Sequence, residues 1–167
     1  ITHMDDQIGR ILDALEKSGK ADNTYIIFTA DHGLALGDHG FVGKQNMYDH
    51  SMRVPCILVG PDIPENEKRD MQIYLQDLMA TSLDLAQIKK PEYIEFNSLL
   101  PLINKEQQVS SYSEIYGAYI DFQRMIRTDK YKLIIYPKAR KILLFDVEND
   151  PNEITNLAEN KNYTEIK

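Results

Sequence analysis

"TYIIFTADHGLALGDHGFVGKQNMYDHSMRVPCILVG", residues 24–60, sets two short apolar runs either side of a polar stretch rich in Gly, Asp and His. The run at 24–30 is continuous, β-branched and aromatic, which predicts a strand buried on both faces of a parallel sheet; "CILVG" at 56–60 predicts a second. Upstream, in "THMDDQIGRILDALEKSGK" (2–20), Met4, Ile8, Ile11, Leu12 and Leu15 recur at helical spacing. Thr2 with Asp5 has the form of a capping box and Gly19 suits a stop, so a helix is predicted over 2–17. Helix, strand, crossover, strand is the order of an open α/β sheet, where ligands gather beyond the carboxyl ends of the strands. Asp31 and His32 stand at such an end.

Composition narrows the classes. With 43% hydrophobic and 27% charged residues, 167 residues suffice for one core of ordinary domain size. The formal net charge of -7 and the lack of a basic stripe argue against a nucleic-acid partner. No apolar run approaches the roughly 20 residues that span a bilayer, so no membrane segment is expected. The single cysteine, Cys56, excludes an internal disulfide framework, and its apolar neighbours predict a small buried hydrophobe. Ile1 is no initiator and a helix follows at once, so the chain is expected to begin inside a longer polypeptide.

Further along, "GPDIPENEKRD" (60–70) is a surface loop, and "LQDLMATSLDLA" (75–86) predicts a helix with Met79 in the core. "NSLLPLIN" suits a short helix and "SSYSEIYG" (110–117) alternates like a strand. "FQRMIRTDKYKLIIYP" (122–137) and "KILLFDV" (141–147) predict successive antiparallel strands turned by "TDK" and "KAR", and "ENDPNEITNLAENKNYTEIK" supplies a turn and a final helix. The expected division is an α/β part over 1–117 and a small antiparallel sheet plus helix over 118–167.

Three of the four histidines follow an aspartate directly: Asp31-His32, Asp38-His39 and Asp49-His50. Glycines at 33, 37, 40 and 43 let the intervening loop take positive φ and approach a ligand closely. Carboxylate and neutral imidazole are both competent metal ligands. Adjacent residues share one ion only where the backbone bends sharply, and two ligands are too few for a complete site. The competing reading is that Asp and His cap turns through hydrogen bonds to the backbone. Lys44 is either a solvated charge or the point charge that holds one oxygen of a tetrahedral anion. Gln45 after Lys44 excludes a P-loop, and no G-x-S-x-G nucleophile elbow occurs. Asp5, Asp6 and His3 read as solvated first-turn residues favoured by the helix dipole.

"FTADHGLALGDHGFVGKQNMYDHSMRVPCILVGPDIP" closely resembles the late active-site segment of the sulfatases, members of the alkaline phosphatase superfamily. "QDLMATSLDLAQI", "NSLLPLI", "RMIRTDKYKLI" and "LFDVENDPNEITNLA" resemble the family's closing elements in order. The resemblance implies the C-terminal part of an alkaline-phosphatase-like sheet-and-helix domain, followed by a small antiparallel α+β subdomain. It implies that Asp31 and His32 are ligands of a single calcium ion, that Lys44 contacts sulfate, and that His39, and more weakly His50, line the substrate pocket. Imidazole is an unusual calcium ligand and zinc or manganese would serve the pair at least as well, so calcium rests on the resemblance alone.

Two parts of the family pattern are absent from these residues. No C-x-P-S-R or S-x-P-S-R motif, the source of the formylglycine nucleophile, occurs, and Cys56 is followed by "ILV". The early aspartate pair of the calcium site is also missing, and Asp5-Asp6 on an amphipathic helix is a poor substitute. The resemblance therefore implies part of a sulfuric ester hydrolase acting on a sulfated small molecule or glycan, with no catalytic nucleophile of its own and no turnover alone. Two alternatives stand beside it: a phosphate or phosphonate monoester hydrolase of the same superfamily, and a metal-stabilised binding module without catalysis. A sheet cut after its first strands predicts self-association. By analogy with relatives the compartment would be periplasm, lysosome or the outside of the cell.

Overall fold

The computed structural model describes residues 1–166. They form two compact units, one of residues 1–29 with 55–67, the other of residues 30–54 with everything from Lys68 onward.

The first unit holds helix α1 (Thr2–Lys17) and strands β1 (Ile26–Thr29) and β2 (Cys56–Val59). The helix is where its periodicity predicts, and Gly19 ends it with φ 68°. The capping box does not form: Ile1 is the N-cap, and the Asp5 amide donates to the Ile1 carbonyl. The strands are also as placed, but they pair antiparallel, with Ile26 opposite Val59 and Phe28 opposite Ile57. An apolar run encodes burial and not direction, so it could not distinguish the two pairings. A two-stranded ribbon has no second layer to cover both faces. Phe28, Ile57 and Val59 are accordingly exposed, as are Met4, Ile11 and Leu12 of α1. Cys56 is exposed on this ribbon and not buried. Partial desolvation still pushes its pKa up, which keeps it a thiol at neutral pH and not a nucleophilic thiolate.

The second unit contains the core. Strands β3 (Ile115–Tyr119), β4 (Gln123–Arg127), β5 (Tyr131–Tyr136) and β6 (Lys141–Asp146) form one antiparallel meander in sequence order. The sheet starts at Ile115, and residues 110–114, which alternate like a strand, stay outside it. In register, Gly117, Met125, Ile134 and Leu143 make a row across the sheet. On that face lie Met47 and Tyr48 from the loop, with Phe145 and Val147 completing the buried cluster. Gly117 has a packing reason: a Cβ there would lie 2.9 Å from Met125 Cε and 3.2 Å from Met47 Sδ.

The remaining helices are α2 (Asp49–Met52), α3 (Asp77–Leu85) and α4 (Leu100–Ile103). In α3, Asp77 is fully buried and accepts from the Tyr74 and Asn97 amides and the Tyr112 hydroxyl. Burial and that bond hold the Tyr112 phenol protonated, with its pKa pushed up to about 12. Met79 points to solvent, 48% exposed, because the buried side of α3 runs through Asp77, Ala80 and Thr81. The final helix is a 3-10 segment, Lys161–Ile166.

Candidate functional site

Residues 30–54 form the loop that carries the predicted site, and they belong to the same unit as the four-stranded sheet. Gly33 fixes the entry. Its amide donates to the Ser51 carbonyl at 2.9 Å, and a Cβ at this position would come within 2.0 Å of the His50 carbonyl oxygen. No residue with a side chain fits that approach, so the corner after Asp31-His32 is held against α2. Farther on, Gly37 at φ 111° opens a tight turn in which its amide donates to the Phe41 carbonyl at 2.8 Å.

The corner brings three predicted residues together. Asp31 Oδ2 and His32 Nε2 are 3.3 Å apart, and the ammonium of Lys44 hydrogen-bonds His32 Nε2. His32 Nδ1 lies 2.9 Å from the Gly33 carbonyl. A carbonyl only accepts, so Nδ1 carries a proton, and the Lys44 ammonium, which only donates, calls for the lone pair on Nε2, the tautomer for metal ligation through that nitrogen. Lys44 donates to that lone pair. Two ligand atoms bound at a right angle with bonds of about 2.1 to 2.4 Å lie about 3.0 to 3.4 Å apart. The Asp31–His32 separation therefore suits one shared cation, and a positive group already sits at the imidazole. The set is incomplete, however: among the described residues no three His, Cys, Asp or Glu side chains gather closely enough to hold an ion.

The other two Asp-His pairs do different work. His39 Nε2 donates to the Asn152 carbonyl at 3.0 Å, and its ring stacks on Tyr48 with centroids 4.0 Å apart and planes 17° apart. His50 flanks the same tyrosine at 5.6 Å, and Phe145 meets it at 5.7 Å. Burial, with Tyr136 and Glu153 nearby, pushes the Tyr48 pKa up to about 12. His50 Nε2 is buried without a hydrogen-bond partner. Burial, then His39, lowers the His50 pKa; Asp38 and Glu153 oppose this and Lys132 adds to it.

A histidine harder to protonate when folded makes acid destabilising. Between its folded pKa and 6.5 the unfolded chain binds the extra proton, so stability is full above about pH 6.5 and falls as pH drops through the folded value. Urea midpoints between pH 7.5 and 5 are expected to fall in the wild type and to fall less in His50→Gln. Parallel pH profiles for the two proteins would contradict this.

Asp49 is paired inside the fold. Its carboxylate lies 2.7 Å from Lys132 Nζ and 3.6 Å from Arg127 Nη2, and its amide donates to Glu153 Oε2 at 2.7 Å. Lys132 Nζ also lies 2.6 Å from Glu153 Oε1, an ion pair without directed hydrogen-bond geometry. Sequence reasoning did not find Lys132, Arg127 and Glu153. One signal was present: Lys132 alternates in phase with Ile134 and so falls on the core face of β5.

The model of the family described as N-sulphoglucosamine sulphohydrolase, C-terminal, matches residues 37–167. The chain belongs to the sulfatase family. It is 38% identical to an arylsulfatase of Clostridium perfringens over 99% of this chain and 36% of that protein. A solved complex of a protein with its substrate D-glucosamine-2-N,6-O-disulfate superposes with TM-score 0.82 at 30% identity, over 97% of this chain and 35% of that one. The phosphonate monoester hydrolase of Agrobacterium radiobacter superposes with TM-score 0.83 at 26% identity, over 97% and 36%. The chain thus spans about a third of the length of each of these proteins. The α/β fold class expected from the sequence agrees with these likenesses. No helix among the described residues is long and apolar enough to cross a membrane.

Proposed function

We propose that these residues supply the late half of a sulfuric ester hydrolase site. Asp31 and His32 hold one divalent ion, calcium by family resemblance, and Lys44 holds an oxygen of the sulfate. The observation that carries this reading is the meeting of Asp31 Oδ2, His32 Nε2 and Lys44 Nζ at one corner, with His32 in the ligating tautomer. A bound ion would polarise the ester and stabilise charge developing on the leaving oxygen. The protein's own part is to present a carboxylate, a lone pair and an ammonium from a loop locked by Gly33. His39 has Nδ1 left for a sulfated small molecule or glycan, since Nε2 is held by Asn152.

The chain contains no formylglycine precursor motif. Residues 1–167 alone are expected to release no sulfate from aryl or sugar sulfates, even after co-expression with the modifying enzyme. Turnover that disappears in Asp31→Ala would overturn this. The likeness to a phosphonate monoester hydrolase favours a second reading, phosphate or phosphonate esters as substrates, because a lysine and a cation distinguish tetrahedral anions poorly. Assaying a longer polypeptide carrying this chain against sulfate, phosphate and phosphonate esters separates the two.

A further inference from the structure

We infer that Lys132, far from the corner in sequence, is its positioning residue. The inference takes Asp31 and His32 as the cation-binding pair. Lys132 is completely buried, and in register it stands beside Arg127 on the core face of the sheet. Two neighbouring cations on an apolar face need carboxylates, and the carboxylates are Asp49 and Glu153. Asp49 is the first residue of α2, and Glu153 also takes its amide, so α2 is fastened to the sheet at its start.

The rest of α2 sets the corner. The Ser51 carbonyl receives the Gly33 amide, and the His50 carbonyl oxygen occupies the space a Gly33 side chain would need. The Ser51 hydroxyl is itself held by Asn46 at 2.8 Å. The Gly33 carbonyl then accepts from His32 Nδ1–H, and Nε2 keeps the lone pair to which Lys44 donates. The path from Lys132 to His32 consists of a buried ion pair, one turn of helix and two hydrogen bonds. Outer partners of this kind fix the orientation and tautomer of a ligating histidine.

The test uses the whole chain with two readouts: imidazole nitrogen shifts for the His32 tautomer, and Mn2+ titration for affinity. Lys132→Met alone leaves two carboxylates facing each other, so the informative variant is Lys132→Met with Asp49→Asn. Leu144→Ala, which empties a fully buried position of the same sheet outside the network, serves as a destabilised control. In the wild type His32 is expected to be Nδ1-protonated. In the double variant both tautomers are expected, with Mn2+ affinity lowered at least tenfold; in Leu144→Ala neither readout moves. A folded double variant with wild-type tautomer would overturn the inference, and so would a tautomer shift in Leu144→Ala. If the wild type bound no Mn2+ through Asp31, the metal reading would fail, and the tautomer signal alone would decide the role of Lys132.

Discussion

Lys132→Met is expected to destabilise the chain by about 3 to 5 kcal/mol, the usual cost of removing one partner from a buried ion pair. The methionine fills nearly the same space, so the loss is electrostatic. Glu153 is 2% exposed and, without Lys132, would face Asp49 with its own cation gone, while Arg127 stays 3.6 Å from the Asp49 carboxylate. One of the two acids must then take up a proton or the segment must open. Asp49→Asn added to Lys132→Met is expected to recover part of the loss, because it removes one of the stranded charges. Urea unfolding followed by circular dichroism checks both. A cost below about 1 kcal/mol for the single variant would show that water reaches the network and that it holds little.

The second large effect is expected at Gly33. Gly33→Ala drives a methyl group to 2.0 Å from the His50 carbonyl oxygen and 3.0 Å from its carbon, both backbone atoms with no rotamer to change. Relief requires α2 to move away and break the Gly33–Ser51 hydrogen bond. Overpacking costs about 1 to 3 kcal/mol and the bond about 1 more, so a loss of about 3 kcal/mol is expected. The same substitution at Gly9, inside α1 with nothing within 4 Å, is expected to stabilise by about 0.5 to 1 kcal/mol. Thermal unfolding of the two variants should therefore shift in opposite directions. Equal shifts would mean that the corner tolerates a side chain and is not locked.

The sequence made these elements legible to different degrees. Strands β4 to β6 followed from alternation and from their turns, because every second residue meets the core and the signal is local. The direction of pairing between β1 and β2 was not legible, since an apolar run carries no direction, and its signal of burial on both faces fails in a ribbon whose Phe28, Ile57 and Val59 are exposed. Met79 was misplaced for a related reason: helical spacing marks an apolar stripe, while α3 buries the polar groups of Asp77 and Thr81 instead. Asp31, His32 and Lys44 could be nominated from residue types and nearby glycines. That three similar Asp-His pairs have three different fates could not. Asp49 is claimed by Lys132, 83 residues away, and His39 by Asn152, 113 residues away. Such pairings depend on the folded register of the whole unit and leave no trace in local spacing.

In the proposed site Asp31, His32 and Lys44 form one corner for a cation and an anion. Anomalous diffraction from crystals soaked in Mn2+ and sulfate tests it directly. The expected result is a peak bonded to Asp31 Oδ2 and His32 Nε2, with Lys44 displaced from His32 and a sulfate oxygen beside its ammonium. A chain in which Lys44 stays on His32 while the metal binds elsewhere would contradict it.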